Sequence, residues 1–370
     1  MMTESFDIAI IGAGMAGASL AAECAPHARV LLVEGEDTPG YHTTGRSAAF
    51  WEETYGGPGV VPLTVASGAF LRDGGFLSPR GALTIGRAED RPRIERFVET
   101  FASIGVEVRL VERAMLGALV PGLRSDWTVG AQAPGCADID VAALHAHYLA
   151  QSRQAGTVVR VRARVERIER EGAQWRLWWQ GGPQDRGGAR AALLVNAAGA
   201  WADSVAVTAG AMPLGIVPLR RTVAQLRVDP APPDHLPLTF GIDQDFYFKP
   251  QAGRLWLSPH DETPDVARDV APEELAVALA IDRLARVTDW TVAAVERRWA
   301  GLRSFAPDRL PVYGFDAERA GLFWFAGQGG FGIQTAPAAA RLGAQLLLGL
   351  PADAMTESLD PRRYAPCRFG

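Results

Sequence analysis

The segment GAGMAG, residues 12–17, spaces its three glycines as a phosphate-binding turn does. An apolar run over residues 8–11 precedes it, an alanine-rich stretch follows, and a second apolar run over residues 30–33 ends in Glu34. The glycines allow a tight turn, close approach to a pyrophosphate, and close packing of helix on strand. The helix N-terminus favours phosphate, and the acid accepts hydrogen bonds from ribose hydroxyls. The pattern predicts a dinucleotide site containing Gly12, Gly14, Ala16, Gly17, Glu34 and Gly35.

The loop GEDTPGYHTTGRSAAF, residues 35–50, bears on which dinucleotide binds. Glu34 would repel a 2′-phosphate, which disfavours NADP. An NAD-dependent dehydrogenase usually continues with further βα units, whereas a flavin needs a second cradle of small and polar side chains. A solvated turn before a helix is the alternative interpretation of this loop. We expect FAD, with hydroxyls and a guanidinium on its phosphate and ribityl oxygens and small residues beside its ring: Thr43, Thr44, Gly45, Arg46, Ser47, Ala48, Ala49 and Phe50.

A second glycine-rich strand-to-helix turn lies near the C-terminus, where GLFWFAGQGGFGIQT leads into an alanine-rich stretch. Its helix N-terminus suits the pyrimidine end of a reduced flavin, which carries negative charge. No further GxGxxG–acid unit lies between the two turns. We therefore expect no NAD(P)H domain, and electrons that come from a substrate reaching the flavin directly.

Composition narrows the functional class. The chain has 370 residues and a net charge of −5, so no basic field exists to bind nucleic acid. Three well-separated cysteines indicate neither a disulfide framework nor a metal site. No apolar run is long enough to span a membrane, and the N-terminus lacks the pattern of a signal peptide. We expect a cytoplasmic protein, with a peripheral place at the inner membrane left open.

Six motifs occur in order along the chain: GAGMAG, Glu34, GYHTTGRSAAF, VNAAGAW, WAGLRSFAPD and GQGGFGIQT. Together they resemble the D-amino-acid oxidase superfamily of flavoproteins, and within it the D-arginine dehydrogenase-like D-amino-acid dehydrogenases. The resemblance implies an α/β fold with a discontinuous Rossmann-like FAD-binding domain (residues 1–80, 138–218 and 296–370). It also implies an α+β substrate domain with a mixed or antiparallel sheet (residues 81–137 and 219–295).

The resemblance extends the expected cofactor and substrate sites. Further FAD contacts would come from Val165, Ala198, Gly199, Trp201, Gly301, Gly329, Gly330, Phe331, Gly332, Ile333, Gln334 and Thr335. Arg303 and Arg221 match the arginines near the substrate carboxylate, and Tyr55 and Tyr247 match two active-site tyrosines. A backbone carbonyl near Gly330, or a water, would accept the amine proton. In so arginine-rich a chain, either arginine could instead be a surface charge. Non-covalent FAD is expected because no cysteine adjoins the C-terminal glycine loop and Phe50 replaces a possible histidine.

Two departures from the arginine-oxidising relatives concern the side-chain pocket. Phe50 stands where those relatives have histidine, and Ala82 stands where they have a glutamate that meets the cationic side chain. A cationic side chain would be buried there without a partner, at a cost in free energy. Glu52 and Glu53 could restore a preference for cations, although we expect them on a solvent-facing helix. The sequence thus predicts oxidative deamination of a neutral, mostly apolar D-amino acid to a 2-oxo acid and ammonia.

The sequence is also compatible with other functions. Oxidation of a 2-hydroxy acid or of a secondary amine, as in sarcosine and glycine oxidases, would share every flavin motif. Two further alternatives are an NAD-dependent dehydrogenase without a flavin and a flavin-binding protein without catalytic activity. Arg303, Tyr55 and Tyr247 argue against the flavin-binding protein without activity. O2 or a quinone would accept the electrons.

Local patterns predict the surrounding elements. The histidines are interpreted as structural or surface residues, with His42 alone near the flavin. The expected elements are a hairpin over residues 244–259, helices over 91–104, 140–155 and 273–287, a turn over 181–188 and a surface loop over 229–234.

Overall fold

A βαβ unit opens the chain as the glycine spacing predicts. The computed structural model describes residues 4–182 and 185–370. The strand Glu4–Ile11 leads through the glycine turn into the helix Met15–Cys24, and the strand Val30–Val33 returns parallel to the first. Gly12 has φ +102°, and a Cβ there would lie 2.5 Å from the carbonyl oxygen of Ala197. Glycine is therefore required at this turn by both backbone conformation and space.

The strands and helices of the described residues are numbered in chain order. The strands are β1 Glu4–Ile11, β2 Val30–Val33, β3 Phe50–Trp51, β4 Leu77–Pro79, β5 Ala82–Arg87, β6 Arg109–Glu112, β7 Trp127–Ala133, β8 Ala137–Ile139, β9 Val158–Arg160, β10 Arg164–Glu171, β11 Gln174–Gly182, β12 Asp185–Asn196, β13 Val217–Asp229, β14 Leu238–Gly241, β15 Tyr247–Gln251, β16 Arg254–Ser258, β17 Thr263–Pro264, β18 Thr291–Phe305, β19 Val312–Phe315 and β20 Leu322–Ala326. The helices are α1 Met15–Cys24, α2 Val61–Asp73, α3 Arg91–Ala102, α4 Arg113–Leu119, α5 Val141–Gln154, α6 Ala202–Thr208, α7 Glu274–Val287 and α8 Ala336–Leu348.

The first sheet has eight strands in the order β10-β11-β12-β1-β2-β9, with β20 and then β19 beside the second half of β12. Strand β1 pairs parallel with both β2 and β12, whereas β10, β11 and the start of β12 pair antiparallel. Helices α1, α5 and α8 bury one core against this sheet, and α6 contributes to a second core. The carboxyl ends of β1 and β2 therefore open at the glycine turn, where this fold class binds ligands.

The second sheet has nine strands in the order β17-β13-β16-β15-β14-β5-β7-β6, with β18 paired to β13. Helices α4 and α7 close its core around Leu83, Phe248 and Leu284. A small third sheet has the order β3-β8-β4, in which Phe50 pairs with Asp138. The α/β fold with a second, mixed sheet is thus confirmed.

The antiparallel pair β13–β18 places the two expected substrate arginines. Arg221 lies opposite Gly301, and Leu219 lies opposite Arg303. Opposite residues and residues two apart share one face of a sheet. Arg221 and Arg303 therefore project from the same face, whereas Arg220, opposite Leu302, projects from the other and pairs with Asp265 at 3.4 Å.

Most local predictions are confirmed, with some differences in bounds. The hairpin is β15–β16, the three helices are α3, α5 and α7, and the Asp140 side chain accepts from the amide of Ala143 at 2.9 Å. The residues at 229–234 are mostly exposed, as expected of a surface loop. The turn predicted over 181–188 is too long: residues 181–182 belong to β11 and residues 185–188 to β12, while residues 183–184 lie outside the described residues. The domain division stays a prediction; β18 crosses its boundary between residues 295 and 296.

One prediction is wrong. Neither Glu52 nor Glu53 lies on a solvent-facing helix: both follow strand β3, where Glu52 is 1% exposed and Glu53 is half-buried in a turn. Residues 50 and 51 pair with β8, which carries the following turn into the interior. Among the described helices, none is long and apolar enough to cross a membrane.

Candidate cofactor and substrate site

A cavity of about 370 Å³ runs from the glycine turn to the β13–β18 pair. Most of the expected cofactor residues line it: Gly12, Gly14, Ala16, Glu34, Gly35, Thr43, Thr44, Arg46, Ser47, Val165, Ala198, Gly199, Trp201, Gly301, Gly329, Gly330, Gly332 and Ile333. Both glycine-rich turns thus face one cavity, although more than 300 residues separate them in the chain. An elongated ligand with phosphates at one end and a ring at the other fits this shape.

The glycine end of the cavity has the polar groups that an adenosine diphosphate moiety needs. Glu34 Oε2 accepts from the amide of Ala13 at 2.9 Å, which fixes the carboxylate beside the turn. Thr44 Oγ1 accepts from the amide of Met15 at 2.9 Å, at the first residue of α1. A Cβ on Gly14 would lie 3.2 Å from that hydroxyl. The predicted loop therefore does close over the helix N-terminus, and the residues present fit FAD.

Eight expected cofactor residues do not line the cavity: Gly17, Gly45, Ala48, Ala49, Phe50, Phe331, Gln334 and Thr335. They support its walls from behind. Gly17 packs on the backbone of Gly12, where a Cβ would lie 1.8 Å from the carbonyl oxygen. Gln334 is buried and binds the turn after β3. Glycine patterns and motif likeness predict a loop's presence, but not which of its residues face inward.

The cavity lining includes His42, the one histidine expected near the flavin, together with residues that the sequence did not indicate, among them Glu36. Glu36 Oε1 and His42 Nε2 lie at hydrogen-bond distance, 3.0 Å apart, and the His42 ring lies 4.7 Å from that of Trp201. Met15, Gly40, Tyr41, Arg164 and Ser204 line it as well. Glu36 could have been expected from its position, since it lies within the loop of residues 35–50 that was already assigned to the cofactor.

At the other end of the cavity, Arg303, Tyr55 and Gly330 meet. The Arg303 guanidinium donates to the phenol oxygen of Tyr55. A Cβ on Gly330 would lie 2.6 Å from that oxygen and 2.8 Å from Arg303 Nη1. The residue here must be glycine if both side chains are to keep their places.

Arg221 is 4% exposed and lies close enough to Arg303 to feel its charge. Its Nε donates to the carbonyl of Asp261 at 2.8 Å, and its Nη2 to Glu262 at 3.1 Å. Burial, together with the charge of Arg303, lowers the pKa of Arg221 to about 10, so it stays protonated at neutral pH. Its Nη1 is buried and has no hydrogen-bond partner in the described part of the chain.

Five rings form an aromatic cluster beside these arginines: Phe50, Tyr55, Phe240, Tyr247 and His260. The Phe50 ring lies 5.1 Å from Tyr55, 5.8 Å from Phe240 and 6.1 Å from Tyr247. Tyr247 is 1% exposed, and its hydroxyl has no partner among residues 4–182 and 185–370. Ala82 and Leu238 pack into the same buried group, which gives it an apolar wall.

His260 belongs to this cluster, 5.7 Å from the ring of Tyr247, and sequence reasoning missed it. Its Nδ1 contacts the carbonyl of Gln244. Burial, with the charges of Arg221 and Arg303, lowers the pKa of His260 to about 2. The imidazole is therefore neutral at physiological pH and too weak a base to hold the proton of an amine.

Comparison with protein families shows to which family the chain belongs. Residues 7–346 match the family described as FAD dependent oxidoreductase (DAO). The chain belongs to this family. It is accordingly an FAD-dependent oxidoreductase, and the expected D-amino-acid oxidase superfamily is confirmed. The narrower likeness to D-arginine dehydrogenases stays a prediction.

Relatives of known function share the full length of the chain. It is 30% identical to the tRNA 5-methylaminomethyl-2-thiouridine biosynthesis bifunctional protein MnmC of Maricaulis maris, over 98% of this chain and 56% of that protein. The chain thus spans little more than half the length of that relative. It is 26% identical to glycine oxidase of Geobacillus kaustophilus, over 94% of each.

Solved structures show the same fold. The crystal structure of the Geobacillus kaustophilus glycine oxidase superposes with a TM-score of 0.83, at 23% identity and with 98% of each chain covered. L-proline dehydrogenase from P. horikoshii superposes with a TM-score of 0.85, at 20% identity, with 100% of this chain and 98% of that one covered.

Proposed function

We propose that the protein oxidises the carbon–nitrogen bond at Cα of a free amino acid. One observation carries the proposal: beside the Arg303–Tyr55 pair, Arg221 Nη1 and the Tyr247 hydroxyl are buried without hydrogen-bond partners among the described residues. Leaving such groups unpaired costs free energy, so they favour a ligand that satisfies them. A carboxylate is the anion that guanidinium groups bind in two-pronged geometry.

The chain's own residues would bind and orient the substrate. Arg303 and Arg221 would hold the carboxylate, with Tyr55 and Tyr247 completing its hydrogen bonds. Bound FAD supplies the two-electron acceptor for oxidation at Cα. Because His260 is neutral and weakly basic, the amine proton would pass to a backbone carbonyl near Gly330 or to a water. The oxidised amine then hydrolyses to a 2-oxo acid and ammonia.

The preferred substrate would be a D-amino acid with a neutral, apolar side chain. Phe50, Ala82 and Leu238 form an apolar wall next to Tyr247. Glu52, the acidic residue nearest this wall in sequence, is buried behind it rather than offered to a cation. A guanidinium or ammonium side chain would lose hydration against this wall. O2 or a quinone would reoxidise the protein.

A second candidate is a smaller substrate, glycine or a secondary amine such as N-methylglycine. Phe50 packs within 5.1 Å of Tyr55 and 5.8 Å of Phe240, ring centre to ring centre, which leaves little room for a side chain. The likeness to a glycine oxidase supports the same candidate. Oxidation of a 2-hydroxy acid would use the same carboxylate contacts.

Anaerobic flavin reduction across a substrate panel tests these proposals. The panel contains D-leucine, D-methionine, D-phenylalanine, D-arginine, glycine, N-methylglycine and D-lactate. Fastest reduction by an apolar D-amino acid supports the first candidate, and fastest reduction by glycine or N-methylglycine supports the second. Fastest reduction by D-arginine would contradict the apolar wall as the selecting feature. Reduction by none of these compounds would contradict the proposed reaction.

A further inference from the structure

Glu52 is a buried carboxyl group that the proposed chemistry leaves unused. It is 1% exposed and follows the two-residue strand β3. Its Oε1 accepts two hydrogen bonds from Thr54, from the amide at 2.9 Å and from the hydroxyl at 2.8 Å. Its Oε2 is buried without a hydrogen-bond partner in the ranges that the structure describes. The carboxyl thus closes a turn with one oxygen and leaves the other unsatisfied.

That turn carries Tyr55. The amide of Tyr55 donates to the carbonyl of Glu52 at 3.1 Å. Gln334 joins the turn to the segment after Gly330: its Nε2 lies 3.3 Å from the carbonyls of both Glu52 and Tyr55, and its Oε1 accepts from the amide of Glu52 at 3.2 Å. The position of the Tyr55 phenol on Arg303 therefore depends on the shape of residues 52–55.

The charge state of Glu52 is set by its surroundings. Burial raises the pKa of Glu52 to about 7, although the hydrogen bonds from Thr54 lower it, as does the nearness of the Cys136 thiol. Glu53, on the same turn, raises it through charge repulsion. Beyond Cys136 lie Asp138 and Lys249, which pair at 2.6 Å. Glu53 is thus the charged group that acts directly on Glu52. Glu52 affects Arg303 through the turn of residues 52–55, because that turn carries Tyr55.

The two protonation states of Glu52 differ in how firmly they close the turn. Hydrogen bonds to an ionised carboxylate are about twice as strong as those to a neutral acceptor. Ionised Glu52 therefore holds Thr54, and with it residues 52–55, more firmly than protonated Glu52 does.

We propose that Glu52 is a positioning residue: its carboxyl group closes the turn that carries Tyr55, and protonation of Glu52 weakens the hold of Tyr55 and Arg303 on the substrate carboxylate. The inference rests on the proposed function, because it assumes that these two residues bind a carboxylate. It concerns a side chain that touches neither substrate nor cofactor.

Acetate binding to the FAD-loaded protein tests it, followed by the change in flavin absorbance. Acetate has no amine, and its own carboxyl is ionised above about pH 6, so its pH dependence reports on the protein. We expect the wild-type Kd to rise about fivefold as the pH falls through neutrality, the size expected when hydrogen bonds lose charge assistance. In Glu52→Gln, the Kd stays at its weaker, acid value across the range. Glu53→Gln is the matched control: it keeps the full wild-type change in Kd, with the midpoint at a lower pH because the charge repulsion from Glu53 is removed.

The outcomes separate the inference from the proposed function. A wild-type slope in Glu52→Gln overturns the inference, and so does loss of the slope in Glu53→Gln. Absence of acetate binding to the wild type, or equal binding by Arg303→Lys, overturns the carboxylate site and the inference with it. If Glu52→Gln does not fold, Thr54→Val serves: it removes one donor to the ionised form, and we expect the midpoint of the Kd profile to move to higher pH. An unmoved midpoint overturns the inference.

Discussion

The Arg303 guanidinium donates a hydrogen bond to the phenol oxygen of Tyr55, across the side of Gly330 that has no side chain. The two residues come from β18 and from the turn after β3, which belong to different sheets. Their contact joins the nine-stranded sheet to the turn that follows β3. Several measurable consequences depend on this contact and on the residues that support it.

Replacing Arg303 by lysine should weaken substrate use strongly, because an ammonium group cannot make a two-pronged contact with a carboxylate. We expect kcat/KM to fall by about 2–4 kcal/mol in free-energy terms, the range for losing a buried charged hydrogen bond. Steady-state kinetics measures the change. Arg298→Lys, on the same strand and paired with Glu274 at the surface, is the control and should leave kcat/KM unaltered. Unchanged kinetics in Arg303→Lys would remove Arg303 from the site.

Gly330→Ala should damage the site while leaving the fold intact. The added Cβ would stand 2.6 Å from the Tyr55 hydroxyl and 2.8 Å from Arg303 Nη1, both at the ends of side chains that can move. Displacing them by about 1 Å can cost on the order of 100-fold in rate. We expect near-wild-type thermal unfolding with a large loss of kcat/KM. Gly117→Ala, where the new Cβ meets nothing closer than 3.6 Å, should lose no activity.

Phe50→Leu should enlarge the space beside Tyr55 and Tyr247. We expect kcat/KM for a longer apolar substrate to rise relative to that for a short one by about tenfold, as for one or two methylene groups in an apolar pocket. Competition between the two substrates measures the ratio. Phe76→Leu changes a comparably buried ring in the cofactor-side core and should leave the ratio unaltered. A ratio that also stays fixed in Phe50→Leu would show that Phe50 does not bound the substrate.

Glu52→Gln should stabilise the protein at neutral and higher pH. The pKa of Glu52 is raised in the folded state from 4.5 to about 7, so folding favours its protonated form. The stability contributed by that form is complete below about pH 4.5 and is lost as the pH rises through about 7, a change of about 3 kcal/mol. Glutamine has no such dependence. Denaturant unfolding should therefore show that the free energy of unfolding of Glu52→Gln rises relative to that of the wild type as the pH increases across this window. A difference between the two proteins that does not change with pH would contradict the raised pKa of Glu52.

The cofactor should be bound without a covalent bond, because Cys24 and Cys136 are buried away from the cavity lining and Phe50 occupies a possible attachment position. Acid precipitation of the yellow protein should leave the colour in the supernatant. Colour retained by the pellet would show covalent attachment.

Local sequence was sufficient for the βαβ unit and for the hairpin, because the residues that determine each are neighbours in the chain. The glycine spacing and Glu34 predict the cofactor end of the cavity for the same reason. The substrate arginines were expected from motif likeness alone, and the β13–β18 register provides the physical reason that Arg221, rather than Arg220, joins Arg303.

The burial of Glu52 could not be predicted from its neighbours. It follows from the pairing of Phe50 with Asp138 and from the bonds to Gln334, which join distant parts of the chain. His260 was missed for the same reason: its partners Tyr55 and Phe240 lie on other elements, and no pattern around residue 260 indicates a ring cluster.

The two arginines proposed to bind the substrate carboxylate both lie on the β13–β18 ribbon, whereas the apolar residues beside them come from the turn region of β3, from β5 and from the β14–β15 pair. Anchoring and selection are thus encoded in separate segments of the chain. Substitutions in the wall segments can exchange one substrate for another while the anchor keeps every contact. Under the proposed function, a laboratory that redesigns this protein can restrict its libraries to the wall segments.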